Sequence, residues 1–159
     1  MHGRVFGPRC WGRSEGAYLV PLRLVSRSMT YVIGAACVDV MDKSCVQECP
    51  VDCIYEGARS MYINPDECVD CGACKSICRV EAIYWEGDLP DDQQQHLDDN
   101  AAFFSQVLPG RDARLGCPGG YANIGPVGVD TPLITMMPAP PSDAPRDLPH
   151  LRQADQFRD

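Results

Sequence analysis

Four cysteines, Cys68, Cys71, Cys74 and Cys78, follow one another at the spacing C-x2-C-x2-C-x3-C, a pattern suited to holding an iron–sulfur cluster through thiolates. Three thiolates so placed can wrap one cage while the fourth points away and serves a second cage. An incomplete copy lies upstream, formed by Cys37, Cys45 and Cys49, the last followed by Pro50. Applying the crossing to both copies yields two ligand sets. Cys49, Cys68, Cys71 and Cys74 hold a [4Fe-4S] cluster, and Cys37, Cys45 and Cys78 hold the other. Val40 stands three residues after Cys37, where the second copy has Cys71, and valine cannot bind iron. The second set is therefore one thiolate short and reads as a [3Fe-4S] cluster. The alternative is a [4Fe-4S] cluster whose open corner takes oxygen from Asp39, Asp42 or water, and a two-residue insertion between Cys37 and Cys45 brings Asp42 within conceivable reach.

Three of the ten cysteines stand outside this scheme. Cys53 aligns with Ala82 in the repeat, so it reads as a small buried residue beside a cluster, or as a reserve ligand should the Cys37, Cys45 and Cys78 cluster rebuild as a cubane. Cys10 and Cys117 read as free thiols. His2, His96 and His150 have no ligand spacing with the cysteines. Structural zinc usually joins a C-x2-C pair to a second pair a dozen or more residues away, unlike three cysteines crowded into one short loop. A disulfide scaffold would belong to a secreted chain. Here Pro21 and Arg23 interrupt the apolar stretch near the start and no small-residue cleavage site follows, so a reducing cytoplasm is expected.

The elements that must position these cysteines are visible as an internal repeat. CPVDCIYEG, from Cys49 to Gly57, lines up with CRVEAIYWEG, from Cys78 to Gly87, after one inserted residue, and each is preceded by a cluster opening with Cys-Val-Asp. Two half-domains related by a pseudo-twofold are expected, each a cysteine loop, a short helix and a strand. Ile54-Tyr55 leads through a turn at Gly57 to Met61-Tyr62-Ile63 as a hairpin, and Tyr31 to Ile33 and Ala82 to Trp85 supply the equivalent strands. The fold class is α+β, with residues 29–88 as the cluster-binding domain. Residues 89–108 read as a helix whose stripe of Leu97, Ala101, Phe104 and Leu108 packs on that domain as a brace. Residues 1–28 read as a disordered basic extension, or as sequence upstream of a true start at Met29. Residues 109–159 read as a Pro- and Gly-rich flexible tail. With so few apolar residues for a core, metal is expected to be required for folding.

Charge narrows the partners. The first 28 residues carry five arginines against one acid, whereas the remainder carries nine basic and 21 acidic residues. An anionic body repels nucleic acid and anionic lipid and can steer encounters with a basic patch on a protein. There is no G-x-G-x-x-G, no P-loop and no apolar run long enough to cross a membrane. These absences point away from a nucleotide- or flavin-dependent enzyme and toward an electron carrier, with an oxygen- or redox-sensing interaction protein as the alternative.

CVDVMDKSCVQECPVDCIYEG followed by CVDCGACKSICRVEAIYWEG resembles the seven-iron dicluster ferredoxins of bacteria, especially the actinobacterial type, over residues 29 to about 108. The resemblance implies a small ferredoxin fold of two cluster-binding halves with a following helix, one [3Fe-4S] and one [4Fe-4S] cluster, and one-electron carriage. It implies as partners a ferredoxin reductase and an acceptor oxidoreductase such as a monooxygenase, for a cytoplasmic monomer. Arg79 departs from the family pattern, which usually has proline after the last ligand.

Overall fold

The computed structural model describes residues 29–139. Expectations for residues 1–28 and 140–159, Cys10 and His150 among them, lie outside that span. The observed class is α+β. Strand β1 (Tyr31–Ile33) pairs antiparallel with β4 (Ile83–Trp85), and β2 (Ile54–Glu56) pairs antiparallel with β3 (Met61–Ile63). Short helices α1 (Ser44–Glu48) and α2 (Ala73–Ile77) precede β2 and β4. A longer helix, α3 (Gln95–Ser105), follows, and then α4 (Tyr121–Ile124) and α5 (Pro132–Met136). No helix among the described residues is long and apolar enough to cross a membrane.

The repeat is written into the backbone as well as the sequence. Ile33 faces Ile83 in one ladder and Ile63 faces Ile54 in the other, so the two sheets are equivalent residue by residue. Left-handed residues recur at matching places, Lys43 with Gly72, Asp52 with Glu81, and Asp39 with Asp70. Positive φ is uncommon outside glycine, and three such pairs in register mark one chain path used twice.

Strands of three residues cannot enclose a core by themselves. One buried cluster joins Ile33, Ile54, Met61, Ile63 and Ile83 to the sulfurs of Cys37, Cys45, Cys53 and Cys74. The other lies under α3, where Phe103 stacks on Tyr62 at 3.8 Å and Phe104 meets Tyr55 edge-on at 5.1 Å.

Helix α3 is shorter than the expected 89–108, because Leu89 and Pro90 are extended and a 3-10 turn at Asp91–Gln93 leads into it. Its inward face also differs from the apolar stripe. His96, Asp99, Asn100, Phe103 and Phe104 are buried, while Leu97 and Ala101 are only half-buried. Asn100 explains the rotation. Its Oδ1 accepts from the N–H of Ile63 (3.1 Å) and of Ile33 (3.5 Å), and its Nδ2 donates to the carbonyls of Ile33 (3.1 Å) and His96 (2.9 Å). Ile33 and Ile63 are equivalents in the repeat, so one amide side chain on the pseudo-axis pairs backbone groups that two-stranded sheets leave open.

Residues 109–139 are not the flexible tail expected of them. Asp130 accepts from the N–H groups of Ala58 (3.2 Å) and Arg59 (2.8 Å) and from the Tyr62 hydroxyl (3.0 Å). The Arg59 guanidinium donates to the carbonyls of Ile134 and Met137, both at 2.9 Å. Gly116 bonds Phe104, Tyr121 bonds Asp52, and Val127 bonds Glu56 through their backbones. The segment's hold on the core is apolar as well as polar, since Ile134 is buried in the cluster under α3 and Leu115, Tyr121, Val127, Val129 and Met137 pack against it. Composition therefore under-reads it. Cys117, expected as a free thiol, is disulfide-bonded.

Replacing Asn100 by alanine orphans buried N–H groups on both sheets and is expected to cost about 3 kcal/mol, read as a fall in the denaturation midpoint of the holoprotein. Burial holds His96 below its ordinary value of 6.5. Above that value both folded and unfolded chains carry it neutral; as pH falls through it, the unfolded chain takes the proton first and stability is lost. Thermal melts from pH 7 to 5 are expected to fall less steeply for His96→Leu than for the natural protein.

Candidate metal centres

Each half builds its cysteine positions with the same local devices. A left-handed residue, Lys43 or Gly72, turns the chain into a one-turn helix carrying Cys45 or Cys74, and the helix stops at an extended Cys49 or Cys78. Gly72 has a second reason to lack a side chain, since a Cβ there would lie 2.9 Å from the Tyr31 hydroxyl. The chain then turns again at Asp52 or Glu81 and enters β2 or β4.

Helices α1 and α2 lie against each other, and this contact carries each terminal cysteine across to the other half. One cleft is lined by Cys49, Cys68, Cys71 and Cys74, together with Cys53 and Tyr31. A second is lined by Cys37, Cys45 and Cys78, together with Asp42, Lys43 and Ala82. The structure thus brings Cys49 beside cysteines of the second half, with Cys53 next to it, and Cys78 beside cysteines of the first.

The remaining candidates divide. Asp42 lines the second cleft; its carboxylate accepts from the Ser44 N–H (3.3 Å) and hydroxyl and lies 3.9 Å from Arg79 Nε. Asp39 is held by Arg59 at 2.6 and 2.8 Å and is not among the lining residues. Val40 is 52% exposed. Cys53 lines the first cleft, not the second, so it cannot serve as a reserve for the Cys37, Cys45 and Cys78 group. The reason is the crossing itself. Cys49 leaves its own half, and Cys53, four residues on, is carried to the same side, with Sγ atoms 3.5 Å apart.

Donors around the sulfurs repeat with the fold. The N–H of Cys53 donates to Cys49 Sγ and that of Ala82 to Cys78 Sγ, both at 3.4 Å. The Ser60 hydroxyl and Met61 N–H favour the thiolate of Cys37, as the Thr30 hydroxyl and Tyr31 N–H favour that of Cys68. Sequence reasoning missed Ser60 and Thr30, although the strand alignment places them at equivalent positions. The Cys53 thiol, backed by backbone donors, holds Cys49 and Cys68 below the usual thiol range. Burial pushes Cys45 and Cys74 up to about 12. It also raises Cys37, against the pull of its donors.

Buried thiols that resist ionisation, set among donors that need an anion, call for a cation in place of their protons. All-sulfur donor sets of this kind suit iron–sulfur clusters. Among the described residues no three Cys, His, Asp or Glu side chains converge on a point where one metal ion would sit. A cage asks for a different arrangement, with thiolates spaced around it so that each takes its own iron.

A family model described as a 4Fe-4S binding domain matches residues 61–84. A ferredoxin of Mycobacterium tuberculosis is 82% identical over 110 residues, covering 69% of this chain and 96% of the relative. A ferredoxin of Mycolicibacterium smegmatis is 54% identical over 109 residues, covering 69% and 95% respectively. A protein of Hydrogenibacillus schlegelii named ferredoxin 7Fe is 47% identical over 78 residues, 49% of this chain and 100% of the relative. Identity of this degree, spanning the relatives almost end to end, makes the chain a member of the ferredoxin family, whose proteins carry electrons and are not enzymes.

Proposed function

We propose that this ferredoxin carries electrons one at a time through two centres, a [4Fe-4S] cluster held by Cys49, Cys68, Cys71 and Cys74 and a [3Fe-4S] cluster held by Cys37, Cys45 and Cys78. The observation that carries the reading is the division of the thiols between two clefts, Cys49, Cys68, Cys71 and Cys74 with Cys53 beside them in one and Cys37, Cys45 and Cys78 alone in the other, with Val40 exposed where a further ligand to the second would be needed. The name of the Hydrogenibacillus schlegelii relative, which specifies seven irons, supports the same count. Each cluster, when bound, takes up one electron and gives it back. The thiolates hold it, the N–H and hydroxyl donors offset the negative charge on the sulfurs, and the isoleucines of the inner sheet faces keep water out. The four-thiolate centre is the lower-potential one. A ferredoxin reductase supplies the electron and an acceptor oxidoreductase, such as a monooxygenase, receives it, with the protein acting as a monomer in the cytoplasm.

The test is analytical and spectroscopic. Anaerobically purified protein is expected to be brown, to contain about seven irons per chain with acid-labile sulfide, and to show the paramagnetic signal of an oxidised three-iron cluster. Cys78→Ser should abolish that signal, whereas Cys49→Ser should keep it and deplete the low-potential centre. Colourless protein without labile sulfide would sink the reading, and full iron with no such signal would replace three irons by four at the second cleft. The donor geometry yields a second expectation. Ser60→Ala should lower the potential of the Cys37 centre alone, and Thr30→Val that of the Cys68 centre alone. Each shift should be about 40 mV by voltammetry, the equivalent of about 1 kcal/mol for one hydrogen bond in a one-electron couple.

A further inference from the structure

The two halves are equivalent in path but not in what covers them, and the difference singles out one surface. In the first half the tripeptide Cys37-Val38-Asp39 is covered. Val38 is buried in the cluster that contains Ile134, with Met137 packed alongside, and Asp39 is clamped by the guanidinium of Arg59, which also holds the carbonyls of Ile134 and Met137. In the second half the same tripeptide, Cys68-Val69-Asp70, is bare. Val69 is 52% exposed, Asp70 is exposed, and Cys71 beside them is the exposed one among the free cysteines of the described residues.

The strand registers show why. Arg59 lies two residues before Met61, the first residue of β3, and the equivalent place before Tyr31 of β1 is held by Met29, itself 55% exposed. Among the described residues the cation that occupies Asp39 therefore has no counterpart at Asp70. The ion pairs among the described residues are Lys43 with Glu56, Arg59 with Asp39 and Arg79 with Asp42, and none involves Asp70. The segment that carries it is acidic, since residues 64–72 include Asp66, Glu67 and Asp70 and no basic side chain, with the Glu67 carboxylate taken by the Tyr55 hydroxyl and the Gly119 N–H.

We infer that Val69, Asp70 and Cys71 form the docking surface for the redox partner, and that the partner supplies what the chain supplies to itself in the other half, an arginine or lysine on Asp70 beside an apolar side chain on Val69. This rests on the electron-carrier reading and adds the place and chemistry of the encounter. An apolar centre with a charged neighbour is the usual anatomy of a small protein interface, and the charge contributes most to the encounter rate and its salt dependence. The location also serves the reaction, because it brings the partner against Cys71, the most accessible thiol of the first cleft. Cys37 and Cys45 of the second cleft are buried.

The test measures binding of the oxidised holoprotein to a bacterial NADPH-dependent ferredoxin reductase by calorimetry at low and high salt, with reduction potentials recorded alongside. Asn tolerates the left-handed backbone at position 70, and Lys43 already adopts it elsewhere in the chain. Asp70→Asn is expected to weaken binding about two- to fivefold, and Asp70→Lys about tenfold or more, with both effects fading at high salt. Val69→Ser should weaken binding at either salt concentration. Asp39→Asn, the equivalent change in the covered half, should lower the melting temperature and leave binding alone. Unchanged binding in the position 70 variants would overturn the inference. Tighter binding would overturn it too, since the arginines of residues 1–28 would then be the occupants. If the natural protein takes up no electrons even from dithionite, the carrier reading has failed; if it does so and these variants bind normally, only the docking surface has.

Discussion

The constraint on which this molecule depends is that sulfur occupies the space where a hydrophobic core would be. Four strands of three residues each, arranged as two separate pairs, bury too little surface to hold themselves together. Cys37, Cys45, Cys53 and Cys74 sit in the same buried cluster as the isoleucines of all four strands, and the half-buried Cys49, Cys68 and Cys78 pack against it. Thiols at such depth are held protonated by burial, as the upward shifts at Cys37, Cys45 and Cys74 record, and a metal that replaces those protons contributes its binding energy to folding. Cofactor retention and fold stability would then be coupled, and the placement of Cys49 beside cysteines of the second half and of Cys78 beside those of the first ties the two halves together.

Around this centre the chain repeats itself and then departs from the repeat where a single copy of something is needed. The donors to sulfur come in pairs, Ser60 with Thr30, Met61 with Tyr31, and Cys53 with Ala82. Helix α3 is single, and it resolves the mismatch by placing Asn100 where both sheets can reach it. The segment after α3 is also single and can cover one half only. Its anchors are a carboxylate at Asp130 on the β2–β3 turn and the guanidinium of Arg59, both of which depend on a hairpin turn that the first strand, coming from the N-terminal side, does not possess. The asymmetry of the surface follows from that difference in connectivity.

Much of this was legible in the residues. The repeat carried the strands because it doubled each weak local signal. What escaped were contacts made by polar side chains. A hydrophobic stripe cannot announce that Asn100 and His96 face inward, since their burial is decided by the open backbone groups of Ile33 and Ile63, which appear only when the sheets are assembled. Residues 109–139 escaped in part for the same reason, because a Pro- and Gly-rich composition says nothing about Asp130 meeting the β2–β3 turn or about Ile134 joining the cluster under α3. Cys53 is the small buried residue that its alignment with Ala82 suggests, and it lies by the first cleft rather than the second because Cys49, four residues before it, has already crossed.

The pairing of equivalents also bears on why one half lacks a thiol. At Val40 the chain has an exposed side chain, whereas its counterpart Cys71 is exposed and lines a cleft. Between Cys37 and Cys45 the backbone carries the extra residues and an additional left-handed position at Met41, so the loop takes a wider path than the compact turn from Cys68 through Gly72. Asp42 ends that path facing the second cleft, held by Ser44 and faced by Arg79, which leaves a carboxylate and a cation at the rim where the other half has only a thiol. The insertion therefore changes more than one ligand. It gives the second centre a polar, charge-balanced mouth and leaves the first with a sulfur at the surface, so the two clefts, though drawn from one repeat, present different chemistry to whatever approaches them.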